Sequence, residues 1–320
     1  MEWIVLGASG FVGSAVVAEL RSRGIAVREV AAPRFHSDAS SPEQVLAEAS
    51  LSDGAAAARK LMARAFAGAQ VVVNAAGLAT PGDAGSPALT GANALLPVVA
   101  AMAAADAGVP RMVHLSSAAV QGHRAELDES ADRTPFSGYS RSKALGEESL
   151  ALLAASTEGV APTETVVLRA TSVQGPQRPT TAALARLAAS PLASVAAPGT
   201  AATPVSSINA LAWFTAETGL FAGAVPGIVL QPWEGMTVSA VLEAAGGKRP
   251  LVLPRWLTRA TVSAGYALST VAGGRLHGAV RRVELMWFGQ SQRPGWAELA
   301  GLRPQPSVQQ VLQQARQARA

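Results

Sequence analysis

The chain has no cysteine in 320 residues, which excludes disulfides, thiolate metal sites and a cysteine nucleophile, and fits a reducing cytoplasm. Tyrosine occurs only at Tyr139 and Tyr266, and lysine only at Lys60, Lys143 and Lys248, so arginine carries most of the positive charge. There is no long polar or low-complexity tract and no internal repeat. The amino terminus, Met1-Glu2-Trp3-Ile4-Val5-Leu6-Gly7, lacks the positive start of a signal peptide and turns to glycine too soon for one. The apolar stretch Trp256–Phe288 is broken by Arg259, Arg275, Arg281 and Arg282, and is too charged to span a bilayer. It is expected to form an amphipathic helix packed on a smaller lobe, with contact to a membrane surface as the alternative. No cations interleave with aromatics in a DNA-reading pattern, so neither a nucleic-acid partner nor a metal site is expected.

What is present is a soluble globular composition, 49 % hydrophobic and 15 % charged, in a chain long enough to bury a large core. Charge is uneven: residues 1–150 hold 12 Lys/Arg against 15 Asp/Glu, whereas 151–320 hold 14 against 7. The basic second half suits a solvated surface, an anionic substrate such as a phosphate-bearing one, or an anionic membrane surface.

Through the first half, short apolar runs alternate with helical patterns, the sign of a doubly wound parallel α/β sheet covered on both faces. Strands are expected at Trp3–Leu6, Ile25–Val30, Gln70–Asn74, Arg111–Leu115 and Thr165–Arg169. Helices are expected at Gly10–Arg23, Asn93–Ala105 and Tyr139–Ala155. Residues 36–60 offer no third strand, only alanine-rich, helix-like sequence. After about residue 170, proline and glycine punctuate short segments such as Gly175-Pro176 and Ala197-Pro198-Gly199.

The first strand runs directly into Gly7-Ala8-Ser9-Gly10-Phe11-Val12-Gly13, and a helix follows. Glycines at this spacing let the backbone turn tightly and approach a pyrophosphate, while the helix start offers free N–H groups to the phosphates. Ser9, Phe11 and Val12 supply the backbone between the glycines. Further along, Tyr139 and Lys143 stand four residues apart on a predicted helix, hence on one face. A free phenol ionises near about pH 10, and a fixed cation beside it favours the phenolate, making it a usable acid/base at a carbon that gains or loses hydride. The strand at Arg111–Leu115 delivers Ser116-Ser117 at its carboxyl end, where open parallel sheets bind ligands and where a hydroxyl can orient a substrate oxygen.

Together these elements resemble the extended short-chain dehydrogenase/reductase family, in its NAD-dependent epimerase/dehydratase branch. The glycine loop matches T-G-x-x-G-x-x-G with Leu6 in place of threonine. Asn74-Ala75-Ala76-Gly77 is similar to the family's fourth-strand motif beside the adenine, and Asn93 to the asparagine of the next helix. His114-Leu115-Ser116-Ser117-Ala118-Ala119-Val120-Gln121-Gly122 resembles S-S-x-x-V-Y-G, which implies Ser117 as the catalytic serine, with Gln121 replacing a tyrosine. Tyr139 and Lys143 match Y-x-x-x-K, and the resemblance implies that Lys143 also holds the nicotinamide ribose. Leu168-Arg169-Ala170-Thr171-Ser172-Val173-Gln174-Gly175-Pro176 is similar to L-R-P-x-x-V-Y-G-P, implying a cofactor contact from Val173; Ala170 and Gln174 depart from it. Gly301 to Val308 resembles the family's closing segment. The family's acidic motif near residues 48–53 is absent.

The resemblance implies a Rossmann domain over 1–175, rejoined by 203–222, and a substrate-binding lobe from 176–202 and 223–320. It implies a cytoplasmic homodimer, paired through the Asn93 and Tyr139 helices, that acts on a sugar, nucleotide-linked, at a hydroxyl or keto carbon. Ala118-Ala119 after Ser117 cannot supply the acidic pair of the family's 4,6-dehydratases. The alternatives are a non-catalytic dinucleotide-binding sensor or scaffold, which would be expected to lose Tyr139 or Lys143, and an enzyme for an apolar, steroid-like alcohol. NAD-preferring Rossmann proteins end strand two with an acid that bonds the ribose. Here Val27-Arg28-Glu29-Val30 leads into Ala31-Ala32-Pro33-Arg34, so alanine stands there and Arg34 can meet a 2′-phosphate. NADP is therefore expected, with NAD as the alternative, and an exchangeable NADPH favours a ketoreductase over an epimerase.

Overall fold

The computed structural model describes residues 1–79, 85–156 and 163–318, which fall into two compact units. The first comprises Met1–Gly122, Glu129–Ala170 and Ala212–Leu230; the second comprises His123–Asp128, Thr171–Leu211 and Gln231–Ala320.

The chain opens with β1 (Glu2–Leu6), α1 (Phe11–Ser22), β2 (Ala26–Val30), α2 (Pro42–Leu51), α3 (Asp53–Phe66) and β3 (Val71–Asn74). β1 and β3 are buried almost throughout, as unbroken apolar runs are when both faces of a sheet are covered. β2 carries Arg28 and Glu29 and forms an edge of the sheet, where charge is tolerated. As expected, residues 36–60 lie in helix and loop with no strand. Ser41 and Ser52 cap α2 and α3, their hydroxyls accepting from the Gln44 and Ala55 N–H groups.

The helix expected over Asn93–Ala105 is three pieces: α4 (Pro87–Thr90), a π turn (Gly91–Leu95) and α5 (Leu96–Asp106). A Cβ on Gly91 would lie 2.1 Å from the Phe35 carbonyl oxygen, so the turn passes against the loop after β2 and only glycine fits. Pro87–Asp106 is long and apolar enough to cross a membrane, but 72 % of its most apolar window is buried within the protein, which makes it a core helix.

Next come β4 (Arg111–Ser117), a 3-10 turn (Ala118–Gln121), β5 (Glu126–Leu127), α6 (Gly138–Ser156) and β6 (Glu164–Ala170). They are followed by β7 (Ser172–Gln174), α7 (Pro179–Ala189), β8 (Ser194–Ala196), β9 (Val205–Ser207), α8 (Ile208–Leu220) and β10 (Ile228–Leu230). The first unit holds a six-stranded sheet in the order β2-β1-β3-β4-β6-β10, every neighbouring pair parallel. On one face Ile4, Leu6, Val72 and Met112 pack with Val45, Phe66, Val99 and Leu150 from the helices. On β1 the alternate residue Trp3 is fully buried against Gly219 of α8, where a Cβ would come within 2.2 Å of the indole. The helices through which the resemblance implies a dimer are packed inside this unit: α5 is buried over most of its length and α2 lies on α6.

Two boundaries differ from those expected. The segment of the first unit that starts at Glu129 ends at Ala170 rather than 175, because β7 pairs with β9 in a separate two-stranded sheet. The strand within 203–222 therefore does not rejoin the main sheet; α8 returns to the first unit and β10, beyond that range, supplies the sixth strand. The β6 edge needs one parallel partner, and the short Ile228-Val229-Leu230 run provides it.

In the second unit follow α9 (Val238–Gly246), β11 (Leu251–Leu253), α10 (Arg255–Val271), α11 (His277–Phe288), β12 (Ser291–Gln292), α12 (Trp296–Leu299) and α13 (Val308–Gln317). Its core gathers Ala188, Val195, Val241, Leu242 and Leu312. The buried Glu234 carboxylate accepts from the N–H groups of Ser207, Ser307 and Val308, tying β9 to the start of α13.

Candidate active site

The glycine loop is shaped by three different constraints. Gly7 has φ +82°, a conformation disfavoured for side-chain-bearing residues, and a Cβ there would press on Ala76 at 2.8 Å. Gly13 packs α1 against the loop so closely that a Cβ would lie 2.1 Å from the Gly7 oxygen. Gly10 is the N-cap of α1 in ordinary extended backbone, φ −76° and ψ 168°, and contributes no side-chain cap. No acidic residue stands in the first turn of α1, which leaves its electropositive start uncompensated by the helix's own side chains. Ser9 and Phe11 are exposed there, Val12 half-buried. This cradle fits a dinucleotide pyrophosphate: a Cβ at Gly10 would already press on the Gly7 oxygen at 3.3 Å, and the N–H groups of a helix start are the donors an anion needs.

The Asn74–Gly77 segment continues the platform. Ala75 N–H donates to the Leu6 carbonyl at 3.0 Å, holding the segment beside the glycine loop. Asn74 Oδ1 accepts the Ala76 N–H at 3.2 Å, so its amide Nδ2 faces His114 Nδ1, also at 3.2 Å, and donates to it. His114 then carries its proton on Nε2, which has no partner among the described residues. Burial, reinforced by the Lys143 charge, holds its pKa well below the usual histidine range, so the ring is neutral.

Gly77 marks where the platform meets α6. A Cβ on it would come within 2.9 Å of Asn93 Oδ1 and 3.1 Å of Lys143 Nζ. Asn93, placed by the π turn, accepts from Leu78 N–H at 3.0 Å and donates to Leu78 O and Ser142 Oγ, each at 2.9 Å. Lys143 is buried, and its ammonium donates to the Leu115 carbonyl at 2.9 Å. Burial pushes its pKa down to about 8, with the Glu147 carboxylate opposing that shift. The Ser142 hydroxyl donates back to the Tyr139 carbonyl at 2.8 Å, so Asn93, Ser142 and Tyr139 are linked in sequence.

At the end of β4 the two serines separate by strand parity. Ser116 is buried and donates to Glu147 Oε1 at 2.6 Å, a structural bond. Ser117 is half-buried, its Oγ accepting the Ala119 N–H at 3.2 Å at the start of the 3-10 turn. Tyr139 is half-buried on the first turn of α6, one turn before Lys143. Behind them Glu147 and Arg169, both fully buried, pair at 2.8 Å, and Arg133 adds a second cation at 3.1 Å.

The first unit thus holds the residues expected to serve catalysis and cofactor binding, all but Val173. Arg34 lies exposed in the loop after β2 and forms no ion pair among the described residues; Glu29 is engaged with Arg21 at 2.8 Å. Val173 is buried on β7 in the second unit. The sequence reading missed Ser142, His114 and the Glu147–Arg169 pair. Two signals pointed to that pair: a lone arginine within the apolar run Val166-Val167-Leu168-Arg169, and a carboxylate four residues after Lys143 on the same helix face.

A family model for the NAD dependent epimerase/dehydratase family matches residues 3–207. A ketoreductase from Stigmatella aurantiaca, named for 4-hydroxy-2-methyl-3-oxo-4-farnesyl-3,4-dihydroquinoline-1-oxide, is 33 % identical over 153 residues, 46 % of this chain and 44 % of that protein. The match therefore spans less than half of that relative. Among solved structures, the UDP-glucuronic acid 4-epimerase from Bacillus cereus in complex with NAD superposes with TM-score 0.64 at 17 % identity, covering 100 % of both chains. The Thermus thermophilus UDP-glucose 4-epimerase complex with NAD gives TM-score 0.61 at 20 % identity, covering 99 % of this chain and 100 % of that one; at such identities the likeness is one of fold. With the family model covering well over half of the residues, the chain belongs to the NAD dependent epimerase/dehydratase family, within the extended short-chain dehydrogenase/reductases.

Proposed function

We propose that the chain is an NAD(P)-dependent ketoreductase whose Tyr139 exchanges a proton with the substrate oxygen, assisted by Lys143 and oriented by Ser117. The observation that carries this is the buried Lys143 ammonium, held between Leu115 O and the Gly77–Asn93 contact, one helical turn from the only tyrosine of the first unit. The glycine loop would hold the pyrophosphate, and Lys143 the nicotinamide ribose. When bound, the dinucleotide supplies or takes the hydride; the chain's own residues position the substrate oxygen and move its proton. Retention of both Tyr139 and Lys143 favours an enzyme over a sensor.

The substrate proposed is a nucleotide-linked sugar, the ligand class named for the solved epimerases of this fold. The farnesyl-bearing substrate in the name of the Stigmatella relative favours an apolar ketone as the second reading. Loss of reduced-nicotinamide absorbance with UDP-sugar ketones, set against a prenylated keto-quinoline, separates them: turnover of the prenylated ketone alone sinks the sugar reading, and turnover of neither sinks the ketoreductase.

Cofactor choice follows from the end of β2, where Glu29 is occupied by Arg21 and Arg34 is free to meet a 2′-phosphate. Calorimetry is expected to find NADPH bound about tenfold tighter than NADH, with Arg34→Ala removing the difference. Tighter NADH binding, untouched by that change, would reverse both this assignment and the preference for reduction.

Acidity makes a further expectation. With Lys143 near 8, its ammonium is present below that pH and lost above it. Both kcat/KM and dinucleotide affinity should therefore fall as pH rises through about 8. Stability should move the other way: between about 8 and 10.5 the unfolded chain binds the proton and the folded chain does not, so this group's contribution rises with pH. A rate profile flat from pH 7 to pH 10 would contradict the role given to Lys143.

A further inference from the structure

Helix α10 is amphipathic in the wrong sense for a helix packed on a protein core. The positions it buries are Thr258, Val262 and Ser269, with Gly265 set against Val280 of α11. Its large apolar side chains face outward: Trp256 is 72 % exposed, Leu257 40 %, Leu268 60 % and Val271 87 %. At 3.6 residues per turn these four, with Ala260, Ala264 and Ala267, occupy about one third of the helix circumference, one continuous apolar stripe. The preceding strand β11 adds exposed Leu251 and Val252. Of sixteen exposed large hydrophobic residues in the described chain, eight lie between Leu251 and Val283, so this is a patch and not scatter.

The charge around the stripe is of one sign. Between Glu243 and Glu284 there are seven Lys/Arg and no carboxylate. Lys248, Arg249, Arg255, Arg259, Arg275 and Arg282 are exposed, Arg249 at 3.8 Å from Glu243, and the seventh, Arg281, is buried and paired with Glu284. From this we infer that the β11–α10 face of the second unit docks on an anionic lipid bilayer, the apolar stripe entering the headgroup boundary and the arginines meeting lipid phosphates. A second copy of the chain fits poorly, because a symmetric contact would press the same cations against one another. A bilayer rich in anionic lipid accepts both the apolar and the cationic side chains.

The test is co-sedimentation of the full chain with phosphatidylcholine vesicles containing about 30 % phosphatidylserine, compared with phosphatidylcholine alone. Binding to the anionic vesicles is expected to be at least about tenfold tighter and to collapse in high salt. Trp256→Glu with Val271→Glu should abolish it, and Arg259→Gln or Arg282→Gln should each weaken it about fivefold. All these residues are exposed, and unchanged dinucleotide binding by each variant shows that it is folded. Equal sedimentation with both vesicle types, or none, overturns the inference. So does binding that survives the double glutamate variant, or a solution dimer that this variant splits without any vesicle binding.

Discussion

Tyr139→Phe is expected to bind dinucleotide with unchanged affinity and to lose about a thousandfold in turnover. The substitution removes one oxygen from a half-buried ring and leaves the rest of the site in place. The Asn93–Ser142 link reaches the Tyr139 carbonyl, not its phenol, so the first turn of α6 keeps its anchor. The glycine loop and Asn74–Gly77 are untouched, which is why cofactor affinity should hold. Only the proposed proton-transfer group is gone, and an interaction made in the transition state alone lowers kcat without raising KM. Lys143→Ala should behave differently, losing both turnover and dinucleotide affinity, because its ammonium stands where the Gly77 platform, Asn93 and Leu115 O converge. Wild-type turnover in the phenylalanine variant would remove Tyr139 from the mechanism.

Glu147→Ala should cost about 3–5 kcal/mol of stability. Its carboxylate is fully buried and receives Arg169, Arg133 and Ser116. Removing it takes away the carboxylate that faces the Arg169 guanidinium, itself fully buried, which also donates to the Ser130 carbonyl at 2.8 Å. A buried cation left without its anion is far more costly than the intact pair is favourable. The urea midpoint reads the loss, and a shift worth less than about 1 kcal/mol would show that the pair carries no such weight. A second readout separates structure from chemistry. Because Glu147 opposes the burial that lowers Lys143, Glu147→Gln should bring the loss of activity to a lower pH than in the unmodified chain. An unmoved pH profile in a folded Gln variant would make Glu147 purely structural.

Much of this site is written in local pattern. The buried strands β1 and β3 are built on unbroken apolar runs, and the glycine spacing and the Tyr139/Lys143 interval depend only on nearby residues. What escaped depends on distant partners. The π turn at Asn93 leaves the apolar pattern unchanged and begins at Gly91, which packs against Phe35, more than fifty residues away along the chain. Val205-Ser206-Ser207 and Ile228-Val229-Leu230 are equally short, and only their pairing with β7 and β6 decides which joins the main sheet. The outward face of α10 could not be told from an inward one, because periodicity shows that a helix has two faces and not which of them the protein covers. Composition marked the partnership of Arg169 with Glu147 only faintly, as one cation where the strand should be apolar.

Along α6 the interval from Tyr139 to Glu147 tolerates no change in length. Glu147 is locked by Arg169 and Ser116, and Lys143 by the Leu115 carbonyl, so two points one turn apart fix how the helix is rotated about its axis. One residue inserted between Lys143 and Glu147 would turn everything before it by about 100°, swinging Tyr139 and Lys143 off the face they share with the carboxylate. Insertions and deletions should therefore be lethal to activity within these nine positions.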